Sequence, residues 1–271
     1  MSQATATTGD LPGLIGLERA SVAFHSQRVL RDITLWVPRG QTLVIVGESG
    51  CGKTVLLKLL VRLLAPTSGR VLFDGQDLAL LRERELSQQR LRFGFLFQGA
   101  ALFDSMTIFD NVAFGLRARG KISEDEIRSR VRQHLQEVGL PAEVESKKPA
   151  QLSGGMKKRV GLARALATSP EVMLYDEPTT GLDPIMSDVI NELILLIRRR
   201  YPVTSIVVTH DMNTVRKVAD RVVMLYPLSR LRPEEAQVLY DGPPGDMEAH
   251  ADPRVQQFVA GKAGADWLNS A

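Results

Sequence analysis

The octet Gly47-Glu48-Ser49-Gly50-Cys51-Gly52-Lys53-Thr54 stands between two apolar runs, Leu43-Val44-Ile45-Val46 before it and Val55-Leu56-Leu57-Lys58-Leu59-Leu60 after it. It matches G-x-x-x-x-G-K-[ST] at every defined position, and a buried strand before and a helix after are the context in which that pattern cradles phosphate. Gly47, Gly50 and Gly52 permit dihedrals and close approaches that a Cβ would block, so successive N–H groups can turn inward around an anion. A helix beginning near Gly52 or Lys53 adds its unpaired N–H groups and the positive end of its dipole. Lys53 then brings a full charge to the terminal phosphates, and the Thr54 hydroxyl is a ligand for Mg²⁺. A glycine-rich turn with a surface lysine explains less, because it demands neither the flanks nor the complete match.

The rest of the chain is compatible with one large or two small domains. Its 271 residues are 44% hydrophobic and 24% charged, ordinary for a globular protein that buries a core without disulfides. Lysine plus arginine, 34, less aspartate plus glutamate, 31, leaves +3, too small a surplus to imply nucleic acid. The one cysteine, Cys51, has no partner for an intramolecular disulfide, which fits a reducing compartment. Residues 1–14 read as a disordered tail, Ser/Thr/Ala/Gly-rich at the start and without the basic start and apolar core of a signal peptide. No uncharged apolar run approaches the ~20 residues needed to span a bilayer, so work at a membrane would need a partner.

Patterning predicts strands over 15–24 and 29–37, joined by a polar turn at His25-Ser26-Gln27-Arg28, then strands over 42–46 and 69–73, the latter closing at Asp74-Gly75. Helices are predicted over 78–90 and, broken near Gly120, over 108–138, with Ser123 and Glu126 as a capping pair. A strand is predicted over 93–97. Beyond Ser153 a helix to 168, a strand over 172–175, a helix over 184–200, a strand over 205–209, a helix from Met212 and a strand over 221–225 alternate. Such alternation indicates a mainly parallel sheet covered on both faces. Arg198-Arg199-Arg200 ends a helix, where cations offset the dipole, and reads as a solvated helix end.

Val172-Met173-Leu174-Tyr175-Asp176-Glu177 puts two carboxylates at the end of a buried strand. An aspartate there holds Mg²⁺ in phosphate-loop proteins, and Glu177 is placed to polarise an attacking water, which favours hydrolysis over phosphoryl transfer to another substrate. Leu152-Ser153-Gly154-Gly155-Met156 is a second helix start suited to an anion, with Ser153 as cap and two glycines freeing N–H groups. A single phosphate loop has no need of it.

Together with Gln98, Gly181-Leu182-Asp183 and Val208-Thr209-His210-Asp211, in that order, the chain from about 17 to 245 resembles the ATP-binding-cassette (ABC) ATPases. The resemblance implies an α/β, P-loop NTPase fold of ABC ATPase type: a mainly parallel core sheet, an N-terminal antiparallel β subdomain and a helical subdomain at about 99–165. It implies an ATPase domain over 15–245 and a C-terminal extension over 246–271. ATP and Mg²⁺ are the implied cofactors, with Thr54, Gln98 and Asp176 at the metal, Gln98 also in coupling, Glu177 and His210 in catalysis, His210 at the γ-phosphate. Ser153, Gly154, Gly155 and Asp183 would act across a homodimer, completing the ATP site of the opposite subunit. Adenine stacking falls to Phe24 or His25, since the tyrosine usual before Val29 is absent.

Met156 in place of glutamine, the segment Phe97-Gln98-Gly99-Ala100-Ala101-Leu102-Phe103-Asp104-Ser105-Met106-Thr107-Ile108-Phe109-Asp110-Asn111-Val112, and Asp252-Pro253-Arg254-Val255-Gln256-Gln257-Phe258 look like the ATPases of Mce-type lipid transporters. That narrower resemblance implies a peripheral homodimer on the cytoplasmic face of the inner membrane, beneath two integral membrane permease subunits, with an Mce-domain lipid-binding protein beyond and no nucleic acid. The alternatives are an ABC ATPase of another importer or exporter, or a non-transport ABC ATPase. The latter typically carries paired cassettes, a long coiled coil or zinc cysteines, none of which is here. The helical spacing of Val255, Phe258 and Val259 after Pro253 predicts a short helix that packs on its own domain or on the neighbouring subunit, the neighbour being slightly favoured because the Mce-type resemblance includes this stretch.

Overall fold

The computed structural model describes residues 13–25, 27–120 and 122–262, so the expected tail at 1–12 and the last residues of the C-terminal extension lie outside the described part. In chain order the strands are β1 (Ile15–Phe24), β2 (Gln27–Val37), β3 (Thr42–Val46), β4 (Ser68–Phe73), β5 (Gln76–Asp77), β6 (Phe93–Leu96), β7 (Val172–Asp176), β8 (Thr204–Val208), β9 (Arg221–Leu225) and β10 (Val238–Gly242). The α-helices are α1 (Lys53–Leu60), α2 (Glu83–Arg90), α3 (Ile108–Arg119), α4 (Glu124–Glu137), α5 (Gly154–Ala167), α6 (Pro184–Arg200), α7 (Met212–Val218) and α8 (Pro253–Val259). They fall into two compact units, one formed by the described residues up to Leu86 together with those from Val208 onward, the other by Ser87–Val207.

In the first unit, β1 pairs antiparallel with both β2 and β4, and β5 completes a sheet of order β2-β1-β4-β5. Leu14, placed in the N-terminal tail by the sequence, is buried, and its N–H donates to the Val37 carbonyl at 2.8 Å. β3 runs parallel to β9, with Val46 opposite Met224, and β10 returns antiparallel along β9. Every residue of β3 is buried, which explains its unbroken apolar run and fixes the point at which the chain turns into the octet.

Helix α2 starts at Glu83, five residues later than the charge pattern suggests. Leu78 is buried and donates its N–H to Val71, while the Asp77 carboxylate accepts from the Ala79 N–H at 2.9 Å, so residues 77–80 make a turn tied to β4. β10 had no clear sequence signal, being a short edge strand of half-buried residues. Helix α8 forms where the spacing placed it, with Asp252 as cap. Val255 is fully buried within this chain, Phe258 and Val259 are half-buried, and Arg254 reaches the Glu235 carboxylate at 3.0 Å and lies over the Tyr226 ring.

In the second unit β6 runs parallel to β7, and β8 lies beside β7. Helices α3, α4, α5 and α6 each begin at a side-chain cap, supplied by Thr107, Ser123, Ser153 and Asp183. Such caps satisfy N–H groups that the first helical turn leaves without partners. Asn111 is completely buried, and its amide binds Phe103 through both N–H and C=O, which pins the loop before α3.

Candidate nucleotide site

In the first unit the octet leaves β3 through Gly47, whose φ is 146°, and Gly50 and Gly52 have φ of 82° and 101°. A Cβ on Gly47 would stand 2.2 Å from the Leu225 carbonyl oxygen, so only glycine fits where the loop crosses the end of β9. Lys53 is the first residue of α1, and its Nζ donates to the carbonyls of Gly47 and Glu48 at 2.8 and 3.0 Å. Its ammonium is thus held inside the arc of the loop. Ser49 and Gly50 are exposed at the crest and Thr54 is half-buried on the first turn of α1. An exposed crest of glycine-permitted turns, a cation drawn into the arc and a helix start behind it fit a polyphosphate.

Cys51 is buried, and burial pushes its thiol above the usual range. It is therefore a small packing residue and not a nucleophile. Thr209 donates its N–H to the Ile45 carbonyl at 3.1 Å, which sets His210 beyond the end of β3, exposed, with Asp211 capping α7. Phe24 and His25 are exposed at the end of β1, His25 with a left-handed φ of 54°.

In the second unit β7 ends at Asp176 and Glu177 follows it, 6% and 9% exposed. Glu177 has φ of 48°, a left-handed conformation uncommon outside glycine, asparagine and aspartate. Its carbonyl accepts from Lys158 Nζ at 2.9 Å and its carboxylate from the Thr180 hydroxyl at 3.2 Å. Lys158 is 4% exposed, and burial pushes its ammonium down to about 8 against the opposing pull of Asp176 and Glu177. Gln98 is exposed just after β6. The left-handed residues Ala100 and Ala101 that follow it are fastened by Arg164 of α5, which donates to their carbonyls at 2.6 and 2.7 Å.

Ser153 caps α5 by accepting from the Met156 N–H at 3.3 Å, and Asp183 caps α6 by accepting from the Met186 N–H at 2.9 Å. A Cβ on Gly155 would lie 2.7 Å from the end of the Met186 side chain, so the two helix starts pack side by side. Ser153, Gly154 and Asp183 are exposed there, while Gly155 is buried. Lys158 could have been found from the sequence: it interrupts an otherwise small or apolar stripe through Gly155, Leu162 and Leu166, the face α5 buries. Gln237 and Arg230, which grip the phosphate loop, carry no such signal because they come from a distant irregular segment.

Among the described residues no helix is long and apolar enough to cross a membrane. The family model of the ABC transporter matches residues 30–180. The intermembrane phospholipid transport system ATP-binding protein MlaF of Haemophilus influenzae is 41% identical over 240 residues, 88% of this chain and 88% of that protein. The probable ribonucleotide transport ATP-binding protein mkl of Mycobacterium leprae is 42% identical over 240 residues, 89% of this chain and 67% of that one. Among solved structures, the dimeric structure of MJ0796, a bacterial ABC transporter cassette, superposes with a TM-score of 0.76 at 31% identity, covering 84% of this chain and 98% of the other.

Proposed function

Because this chain belongs to the ABC transporter family and is an ATP-hydrolysing subunit of it, we propose that it powers the movement of phospholipid or a similar hydrophobic molecule through a membrane partner. The observation that carries the two-chain ATP site of this proposal is the pair of exposed helix starts at Ser153 and Asp183. An anion-binding helix start displayed beside a second cap is of use to a phosphate presented by another copy of the chain.

ATP supplies the bond that is broken, and Mg²⁺ would neutralise charge on its phosphates. Lys53 and the loop N–H groups bind the phosphates, and Thr54, Asp176 and Gln98 would hold the metal. Glu177 takes the proton of the attacking water at its carboxylate, and His210 hydrogen-bonds the γ-phosphate. Ser153, Gly154 and Gly155 of one chain bind the γ-phosphate held by the other, with Asp183 at the contact between chains. Phe24 or His25 stacks on adenine. The lipid class is supported by the likeness to MlaF over nearly nine-tenths of both chains. The integral membrane partner docks on the helical segment, where Phe103 and Phe114 are exposed side by side with ring centroids 4.8 Å apart. In the proposed assembly the chain sits peripherally at the cytoplasmic face of the membrane, and an Mce-domain lipid-binding protein completes it.

Affinity purification from detergent-extracted membranes tests this. A multi-helix membrane protein should accompany the chain and the ATPase activity of the complex should be stimulated by phospholipid; recovery of the chain with a sugar- or amino-acid-binding protein instead would overturn the lipid assignment.

A further inference from the structure

Gln237 is 2% exposed and lies just before β10, where the Tyr226 N–H donates to its carbonyl and closes the loop 226–237. Its side-chain amide is fully engaged with three backbone groups of distant segments. Nε2 donates to the Cys51 carbonyl at 3.1 Å and to the Val29 carbonyl at 3.0 Å, and Oε1 accepts from the Arg31 N–H at 2.9 Å. One amide therefore ties the middle of the phosphate loop to β2, the strand that follows the turn carrying Phe24 and His25. The same loop touches the octet again through Arg230, whose guanidinium meets the Glu48 carboxylate at 2.7 Å. Arg31 returns the grip, donating to the carbonyls of Arg232 and Glu235.

We propose that the loop 226–237 is a brace for the nucleotide site, with Gln237 as a positioning residue that sets the phosphate loop against β2 and Arg230 as its outer contact. A glycine-rich loop has little of its own to hold the inward turn of its N–H groups, and its conformational freedom must be lost on binding. Fixing the loop beforehand removes part of that cost from every binding event. Backbone carbonyls in a buried site also need donors, and among side chains of this length a primary amide can donate twice and accept once without introducing a charge.

The inference rests on the ATP reading, and the test separates the two. In the full-length chain, Gln237→Met keeps the length and removes all three hydrogen bonds. Without nucleotide, amide hydrogens of residues 47–54 should exchange faster in the variant than in the wild type, at a temperature where both are folded. With MgATP, its affinity should fall about tenfold, since a buried group left without its partner costs about that much. In the assembled complex KM for ATP should rise while kcat at saturation stays within about twofold; a purely structural role would lower the melting temperature without that split. Unchanged exchange and unchanged affinity in folded Gln237→Met would overturn the brace. Failure of the wild type to bind MgATP would overturn the ATP reading, while the exchange measurement would still judge the brace. Should Gln237→Met not fold, Arg230→Ala tests the same loop at a partly exposed contact, with about threefold weaker MgATP binding expected and no change counting against it.

Discussion

The ammonium of Lys158, on α5, lies 2.9 Å from the carbonyl oxygen of Glu177, the residue that follows β7 in a left-handed conformation. A non-glycine residue with that φ costs roughly 1–2 kcal/mol, and something must hold it there. Lys158 does so from the helix whose start carries Ser153, so the proposed base and the proposed γ-phosphate contact share one support. Lys158→Met should lower kcat at least tenfold and leave MgATP affinity within about twofold, because small displacements of a reacting group are costly while the phosphate loop is untouched. Steady-state ATPase kinetics of the assembled complex, with nucleotide titration beside them, would show whether binding falls as well.

Lys53 is drawn into the arc of the phosphate loop by two carbonyls, and it is the charge the loop offers a polyphosphate. Lys53→Ala should weaken MgATP binding by more than tenfold and remove turnover, as charge-assisted hydrogen bonds are about twice as strong as neutral ones. Equilibrium binding of a fluorescent ATP analogue checks it, and near-normal ATPase activity would sink the proposed role.

At the start of α5 the Ser153 hydroxyl and the glycine N–H groups do the proposed binding, whereas Met156 contributes its backbone N–H to the cap. Met156→Gln should therefore keep at least half the wild-type ATPase rate. Ser153→Arg places a bulky cation at the exposed helix start and should reduce the rate more than a hundredfold, with the melting temperature lowered by a few degrees, as loss of one helix cap implies. If the two variants behave alike, the helix start is not a phosphate contact.

Glu137 gives the second unit a pH dependence unrelated to catalysis. Its carboxylate accepts from the Tyr201 hydroxyl at 2.7 Å and from Gln133 at 2.8 Å, and faces His134 Nδ1 at 2.9 Å, with Arg200 at 3.2 Å. Burial opposes its ionisation, but the hydrogen bonds from Tyr201, Gln133 and His134 outweigh it and hold the carboxyl below its ordinary 4.5. The folded form thus binds this proton less readily than the unfolded form. Its contribution to stability is complete above about pH 4.5 and is lost as pH falls through the lower folded value. Glu137→Gln should melt below the wild type at pH 7, with the gap closing as pH falls below about 4.5. A gap constant with pH would show that the charge is not what stabilises.

The phosphate loop, the strand before it, Asp176-Glu177 and the capped starts of α4 and α5 were legible because each depends on residues adjacent in sequence: a glycine at a left-handed turn, a buried run, a serine three residues before the N–H it caps. The start of α2 was misjudged because its charged pattern is helical, while Leu78 is claimed by β4 through a contact that no local window contains. The burial of Val255 of α8 against its own chain was hidden from the local pattern for a similar reason. Arg254 of that helix binds Glu235 and lies over the Tyr226 ring, both far upstream in sequence, while Phe258 and Val259 stay half-buried. Gln237 and Arg230 were invisible for the same cause, since a glutamine that binds three carbonyl and amide groups looks in sequence like any other glutamine.

The most direct measurement concerns Glu177→Gln. The amide keeps the size of the side chain and can still accept from the Thr180 hydroxyl, yet it cannot take a proton from water; general-base contributions are typically ~10²–10⁴-fold. Hydrolysis should fall by at least that order while MgATP still binds, because Lys53, Thr54 and Asp176 are unchanged and one negative charge near the γ-phosphate is gone. ATP held intact between the phosphate loop of one chain and Ser153 of another should then accumulate a closed homodimer. Size-exclusion chromatography with light scattering, run with and without MgATP, should show the variant as a dimer only when MgATP is present. Hydrolysis at the wild-type rate, or loss of hydrolysis with no ATP-dependent dimer, would contradict an ATP sandwich in which Glu177 is the base.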